Sequence, residues 1–125
     1  MNQVNSKFTM RLENQQKAFE AIQSLHGKNY SWVDPAFVKA TDLVTIMKQW
    51  RWSPSVDDGD NIVEIEFTGE KLGQDQIFFN AIAPYVEDGS FIEMKGSDDG
   101  HWKWSFENGK LKEYTAYYDV VWKEV

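Results

Sequence analysis

Residues 101 to 110 constrain the fold more than any other stretch of this chain. Trp102, Trp104 and Phe106 alternate with His101, Lys103, Ser105 and Glu107, the period of two that marks a half-buried strand. Asn108-Gly109 follows at once. It is the strongest short hairpin signal, because both residues tolerate positive φ. The chain must reverse there, and Lys110 onward must pair back as a strand running to about Lys123. In that strand Leu111 has one parity and Tyr114, Ala116, Tyr118, Val120 and Trp122 the other; a β-bulge near Lys112 or Glu113 would reconcile them. Upstream, residues 90–96 alternate with Ile92 and Met94 on one face, and Ser97-Asp98-Asp99-Gly100 supplies a short connection. The tail reads as a three-stranded meander.

The earlier elements follow from the same periodicities. Phe8, Met10 and Leu12 alternate with polar residues and predict a strand over 7–13. Asn14 is a candidate N-cap for a helix whose face is Ala18, Ala21, Ile22 and Leu25, with Phe19 at its edge and Gly27 at its end. Residues 28–40, interrupted by Asp34-Pro35, read as an irregular segment packing on the core, with or without a short extended stretch. Thr41 is positioned to cap a second helix, with Leu43, Ile46, Met47 and Trp50 at i, i+3, i+4, i+7. Pro54 and the run from Ser55 to Asp60 end it in a solvated loop. A second strand places Val63, Ile65 and Phe67 inward and Glu64 and Glu66 outward, with Ile62 on the outward parity. A third helix presents Ile77, Phe78, Ala81, Ile82 and Tyr85, and Gly89 closes it. The order predicts one α+β domain over residues 1–125, a mostly antiparallel sheet with helices on one face. The nearest common plan is ferredoxin-like, with an inserted helix and an added C-terminal strand.

Charge is distributed unevenly. Residues 57–99 hold twelve acidic side chains against Lys71 and Lys95, a net of −10 where the whole chain is −7. A field of that sign selects basic partners and disfavours nucleic acid and anionic membrane. With 42% hydrophobic residues the chain has the material for a core. It has no cysteine, which excludes disulfides, thiolate nucleophiles and Cys-based metal sites. No apolar run reaches the length of a membrane span, and Met1 to Ser6 carry no apolar signal-peptide region. A soluble cytoplasmic protein is expected.

No motif specifies a chemistry. His26 and His101 stand apart, without metal-ligand spacing, and read as a helix-end residue and an outward strand residue. Asp57-Asp58-Gly59-Asp60 resembles a calcium loop superficially, but its ligand spacing is wrong and its Gly comes too early. Glu64 and Glu66 lie about 7 Å apart on one strand face. That would suit a carboxylate pair, but ordinary exposed-face solubility is the preferred reading. Trp102, Trp104 and Phe106 on one face would make a stacking platform, against which core packing is preferred. Phosphate loops, dinucleotide fingerprints, zinc-protease and serine-hydrolase motifs are absent. No catalytic residue, metal or cofactor is assigned.

The run from Tyr85 to Gly96 (YVEDGSFIEMKG), continuing as Asp98-Asp99-Gly100-His101-Trp102-Lys103-Trp104-Ser105-Phe106-Glu107-Asn108-Gly109-Lys110, resembles a tail of small uncharacterised proteins from Gram-positive bacteria and their phages or mobile elements. The resemblance implies such an origin and no activity.

Three functions remain open from sequence. The first is a non-enzymatic acidic protein docking on a basic protein partner, as a phage inhibitor or immunity-type protein or nucleic-acid mimic. Its acidic face comprises Asp57, Asp58, Asp60, Glu64, Glu66, Asp98 and Asp99, with the turn at 87–88. The second is a small-ligand domain or enzyme with an aromatic pocket between sheet and helices, using His101 or a Glu. The third is a structural domain whose acidity serves solubility. The first is the working expectation; the oligomeric state is not readable.

Overall fold

In the computed structural model, which describes residues 2–25, 42–69, 75–96, 100–116 and 122–124, the Asn108-Gly109 turn reverses the chain with φ of 54° and 77°. The strands it joins, β5 (His101–Glu107) and β6 (Lys110–Thr115), pair antiparallel in unbroken register from Glu107↔Lys110 to Trp102↔Thr115. The expected bulge near Lys112 or Glu113 is therefore not formed. Leu111 lies opposite Phe106 on the inner face, while Tyr114 lies opposite Lys103 on the outer face. Tyr114 belongs there because its hydroxyl donates to Glu107 Oε2 at 2.9 Å and its ring lies 5.4 Å from Lys103 Nζ. The strand ends at Thr115. Tyr118 and Val120 lie outside the described residues, and Trp122 is 91% exposed.

β4 (Phe91–Lys95) pairs antiparallel with β5, and β1 (Asn2–Lys7) with β4, so one four-stranded sheet has the order β1-β4-β5-β6. The first strand lies earlier than its apolar alternation suggested. Phe8 and Met10 are buried, but Leu12 is 51% exposed and already begins α1 (Leu12–Gln23). Extended Arg11, not Asn14, is the N-cap residue. Ala18 and Ile22 are buried on the helix face that the sequence marked.

The segment after α2 (Leu43–Gln49) departs most from expectation. Asp42, rather than Thr41, caps this helix, accepting from Thr45 N at 2.8 Å; Thr41 lies outside the described residues. Leu43, Ile46, Met47 and Trp50 are buried, as their spacing requires. Arg51 then takes φ 72°, a left-handed position usually given to glycine, and turns the chain into a strand where a loop was expected. This is β2 (Trp52–Val56), antiparallel to β3 (Ile62–Phe67) in a separate two-stranded sheet. Between Ser55↔Glu64 and Val56↔Ile62 the register shifts, leaving Val63 as the extra residue of a bulge. Ile62 and Ile65, three apart, thus both point into the core, and Val63 is 42% exposed instead of inward.

α3 (Asp75–Ile82) and a short 3₁₀ turn (Ala83–Tyr85) lead to β4. Phe78 and Phe79 are both buried, so this helix presents a wider apolar face than its periodicity marked. The two sheets and three helices share one hydrophobic core, in an α+β architecture. Its centre is aromatic: Phe79 lies 5.1 Å from Trp52, 5.0 Å from Trp104 and 5.8 Å from Phe106, ring centre to ring centre. Trp52 Nε1 donates to the buried Asp75 Oδ1 at 2.8 Å, which supplies the acceptor a buried indole needs. No described helix is long and apolar enough to cross a membrane.

Candidate docking groove

The acidic residues divide into those that hold the fold and those that face solvent. Asp57 belongs to the first group. In the β2–β3 connection its Oδ1 accepts from Gly59 N and Asn61 N, both at 2.9 Å, and its own N–H donates to Asn61 O at 2.9 Å. The donors to this carboxylate, the Asn61 N–H foremost, then the Asn61 side-chain amide and the Gly59 N–H, hold it below the usual range. The loop is fastened to α1: Leu12 N donates to Asn61 Oδ1 at 3.0 Å and Gln15 Nε2 to Asp60 O at 2.8 Å. Asp88 accepts from Asn108 N at 2.9 Å and so braces the opposite hairpin turn. Glu87 pairs with Arg11 at 3.4 Å between exposed side chains, a contact of little energetic weight. Glu13, Asp57 and Glu87 line one hollow with Arg11 and Val63, where the cation offsets part of their charge.

Glu64 and Glu66 lie on the other side of β3. They line a groove of about 680 Å³ whose walls are Asn2–Ser6 of β1 and Glu64–Phe67 of β3, with Gly69 at one end. No lysine or arginine is among those residues. Glu64 is half-buried; its Oε1 accepts from Ser6 Oγ at 2.9 Å and from Ile65 N at 3.0 Å. Glu66 is exposed, as are Asp58 and Asp60. Of the expected face, Asp58, Asp60 and Glu66 therefore keep their carboxylates open to solvent and Glu64 lies in the groove. Asp57 is committed to its loop, and Asp98 and Asp99 fall outside the described residues. Among the described residues, these carboxylates lie along β3 and the connection that leads into it.

The groove exists because β1 and β3 approach without pairing. The only backbone bonds between the two sheets, among the described residues, are Met10 N to Ile62 O and Ile62 N to Met10 O, each 2.9 Å. Beyond this bridge, two side chains of β1 reach across the gap among the described residues, Ser6 to Glu64 and Gln3 to the β3 backbone. Gln3 Nε2 donates to Ile65 O at 2.8 Å, and Gln3 Oε1 accepts from Phe67 N at 2.9 Å. The Gln3 amide thus occupies the ladder positions that a neighbouring strand would use. This also accounts for Pro54. Ile65 turns its carbonyl away from β2 and toward Gln3, so Pro54↔Ile65 is a non-hydrogen-bonded pair. The missing proline N–H costs no ladder bond there. A glutamine in a polar N-terminal strand carries no sequence signal for such a role.

The aromatic platform is not formed as a stacking face. Trp104 and Phe106 are 4% and 1% exposed, because the face they share packs on Phe79 and Phe8. Trp102 alone is half-buried. It borders a hollow of about 310 Å³ with Glu93, His101, Lys103 and Tyr114. His101 Nε2 meets Glu93 Oε2 there at 2.5 Å, and Lys103 Nζ lies 5.9 Å from the Phe91 ring. Between the sheets and the helices, the described residues include the buried aromatic side chains of the core. His26 is outside the described residues. No group of three or more His, Asp or Glu among the described residues could hold a metal ion.

Comparison with protein-family models, with curated proteins and with solved structures finds no match to this chain.

Proposed function

We propose that this chain is a non-enzymatic, cytoplasmic binding protein that docks on a basic protein partner through the anionic side of β3, as a phage or mobile-element inhibitor or immunity-type protein. One observation carries the reading. Among the described residues, Glu64 and Glu66 are the charged residues lining the groove and none of its lining residues is basic, while the connection that leads into β3 presents Asp58 and Asp60 to solvent. Like-signed carboxylates along a strand favour a cationic surface, steer its approach, and repel phosphate backbones.

Affinity capture from bacterial lysate tests this, with the wild-type chain and a D58N/D60N/E64Q/E66Q variant as baits. Proteins held by the wild type at low salt should be released at high salt, where surface charges are screened, and should be missing from the variant. The variant should melt as the wild type does. Equal capture by both baits at both salt concentrations would overturn the reading.

A second reading places a small ligand in the hollow bordered by Trp102, Tyr114 and the Glu93–His101 pair, where apolar walls meet a few polar groups. A fragment screen followed on the His101 ring resonances checks it; the absence of any saturable shift there would exclude it.

A further inference from the structure

We propose that the groove between β1 and β3 receives an extended, lysine- or arginine-bearing segment of the protein partner, added as a strand to the outer edge of β3. The inference rests on the docking function above and specifies its partner. The edge atoms are the first argument. Ile65 O and Phe67 N point into the groove, and no backbone group among the described residues takes them up. A strand edge with free ladder positions is a template for another strand.

What holds those positions now is the second argument. Gln3 bonds Ile65 O and Phe67 N, and Glu64 bonds Ile65 N. Both are side chains, which can rotate away while β1–β4 and β2–β3 pairing stays intact. An incoming backbone would replace the Gln3 amide bond for bond, so little hydrogen bonding is lost in the exchange. Glu64, once turned outward, would join Glu66 on the groove wall.

Charge selects the occupant. Glu64 and Glu66 are two residues apart on one strand, about 7 Å. That is the repeat of alternate side chains on an added strand, so cations at every second position would meet both carboxylates. The opposite wall, Asn2 to Ser6, is uncharged and polar but for Val4, which suits a peptide backbone better than an apolar helix face.

The test uses the full chain, labelled with ¹⁵N, and a blocked seven-residue peptide in which lysine alternates with valine or threonine. Two further peptides carry N-methyl groups on one or the other alternating set of amides. At low salt the parent peptide should bind and shift the Ile65 and Phe67 amides. One N-methylated peptide should bind about tenfold or more weakly, since each lost hydrogen bond is worth about 1 kcal/mol. E64Q/E66Q, which keeps the Glu64 acceptor, should weaken the parent peptide, and Gln3→Ala should tighten it by vacating the edge. If both N-methylated peptides bind like the parent while E64Q/E66Q weakens all three, docking is by charge alone; the strand inference fails and the docking function stands. If the parent peptide does not bind, or leaves Ile65 and Phe67 unshifted, the strand inference also fails, and the capture experiment judges the docking function separately.

Discussion

The two hairpins of this chain, β2–β3 and β5–β6, reach one topology by different chemistry. β5–β6 turns on two residues whose backbones accept positive φ, and its register is unbroken. β2–β3 turns through five residues held by the Asp57 carboxylate, with Asp60 at φ 61°, and a bulge shifts its register. The first is specified by its turn residues. The second is specified by side-chain bonds to α1 and by burial of Trp52, Ile62 and Ile65. A hairpin can thus be fixed locally or by its surroundings, and only the local kind advertises itself.

The largest expected effect lies in the core of the second hairpin. Trp52→Ala should cost about 3–5 kcal/mol, as large buried aromatics do, read from denaturant unfolding. The finer comparison sets Trp52→Phe against Trp104→Phe. Both rings are buried, but Trp52 Nε1 donates to buried Asp75 whereas Trp104 Nε1 has no hydrogen-bond partner among the described residues. Trp52→Phe should therefore cost about 1–3 kcal/mol more, the price of removing a donor from a buried acceptor. Equal costs would refute the importance of that bond.

In the first hairpin, Gly109→Ala should cost about 1–2 kcal/mol through its backbone alone. The added Cβ would meet only Pro84 Cα at 3.8 Å, an ordinary contact. A neutral result would show that the turn is imposed by its strands, as in β2–β3.

Pro54→Ala should change stability by less than about 1 kcal/mol, a loss arising in the unfolded chain. A larger loss would mean that the proline ring itself packs in the native hairpin.

The smallest effect concerns pH. The Asp57 carboxyl is depressed below its ordinary value of 3.8, so its contribution is complete above that value and is lost as pH falls through the lower, folded-state pKa. Asp57→Asn should lower the melting temperature slightly at neutral pH and flatten its fall below about pH 4. Identical profiles for variant and wild type would remove Asp57 as the clamp of the loop.

What could be read from sequence divides along the same line as the hairpins. α2 was legible because Leu43, Ile46, Met47 and Trp50 keep strict helical spacing, and β5 because its alternation runs straight into Asn-Gly. β2 was not, because Pro54 argues for a loop and Arg51 takes a left-handed turn with no glycine to mark it. The period of two puts Val63 inward, because alternation alone cannot show a bulge. The alternation marks Glu64 and Glu66 as an outward pair, but it carries no sign of the groove beside them. Its opposite wall is fifty-eight or more positions away in the chain at the Ser6–Glu64 bond, and the Gln3 bonds to β3 span a similar separation.

The Met10–Ile62 bridge has a kinetic consequence. Among the described residues it is the one backbone link between β3 and the segment that follows β1, so β1 and β3 should part like a zipper pulled from the Gln3 end. In deuterated water the Phe67 amide, guarded only by a side chain, should exchange early. The Met10 and Ile62 amides should exchange together and late, timing the moment when the two halves separate.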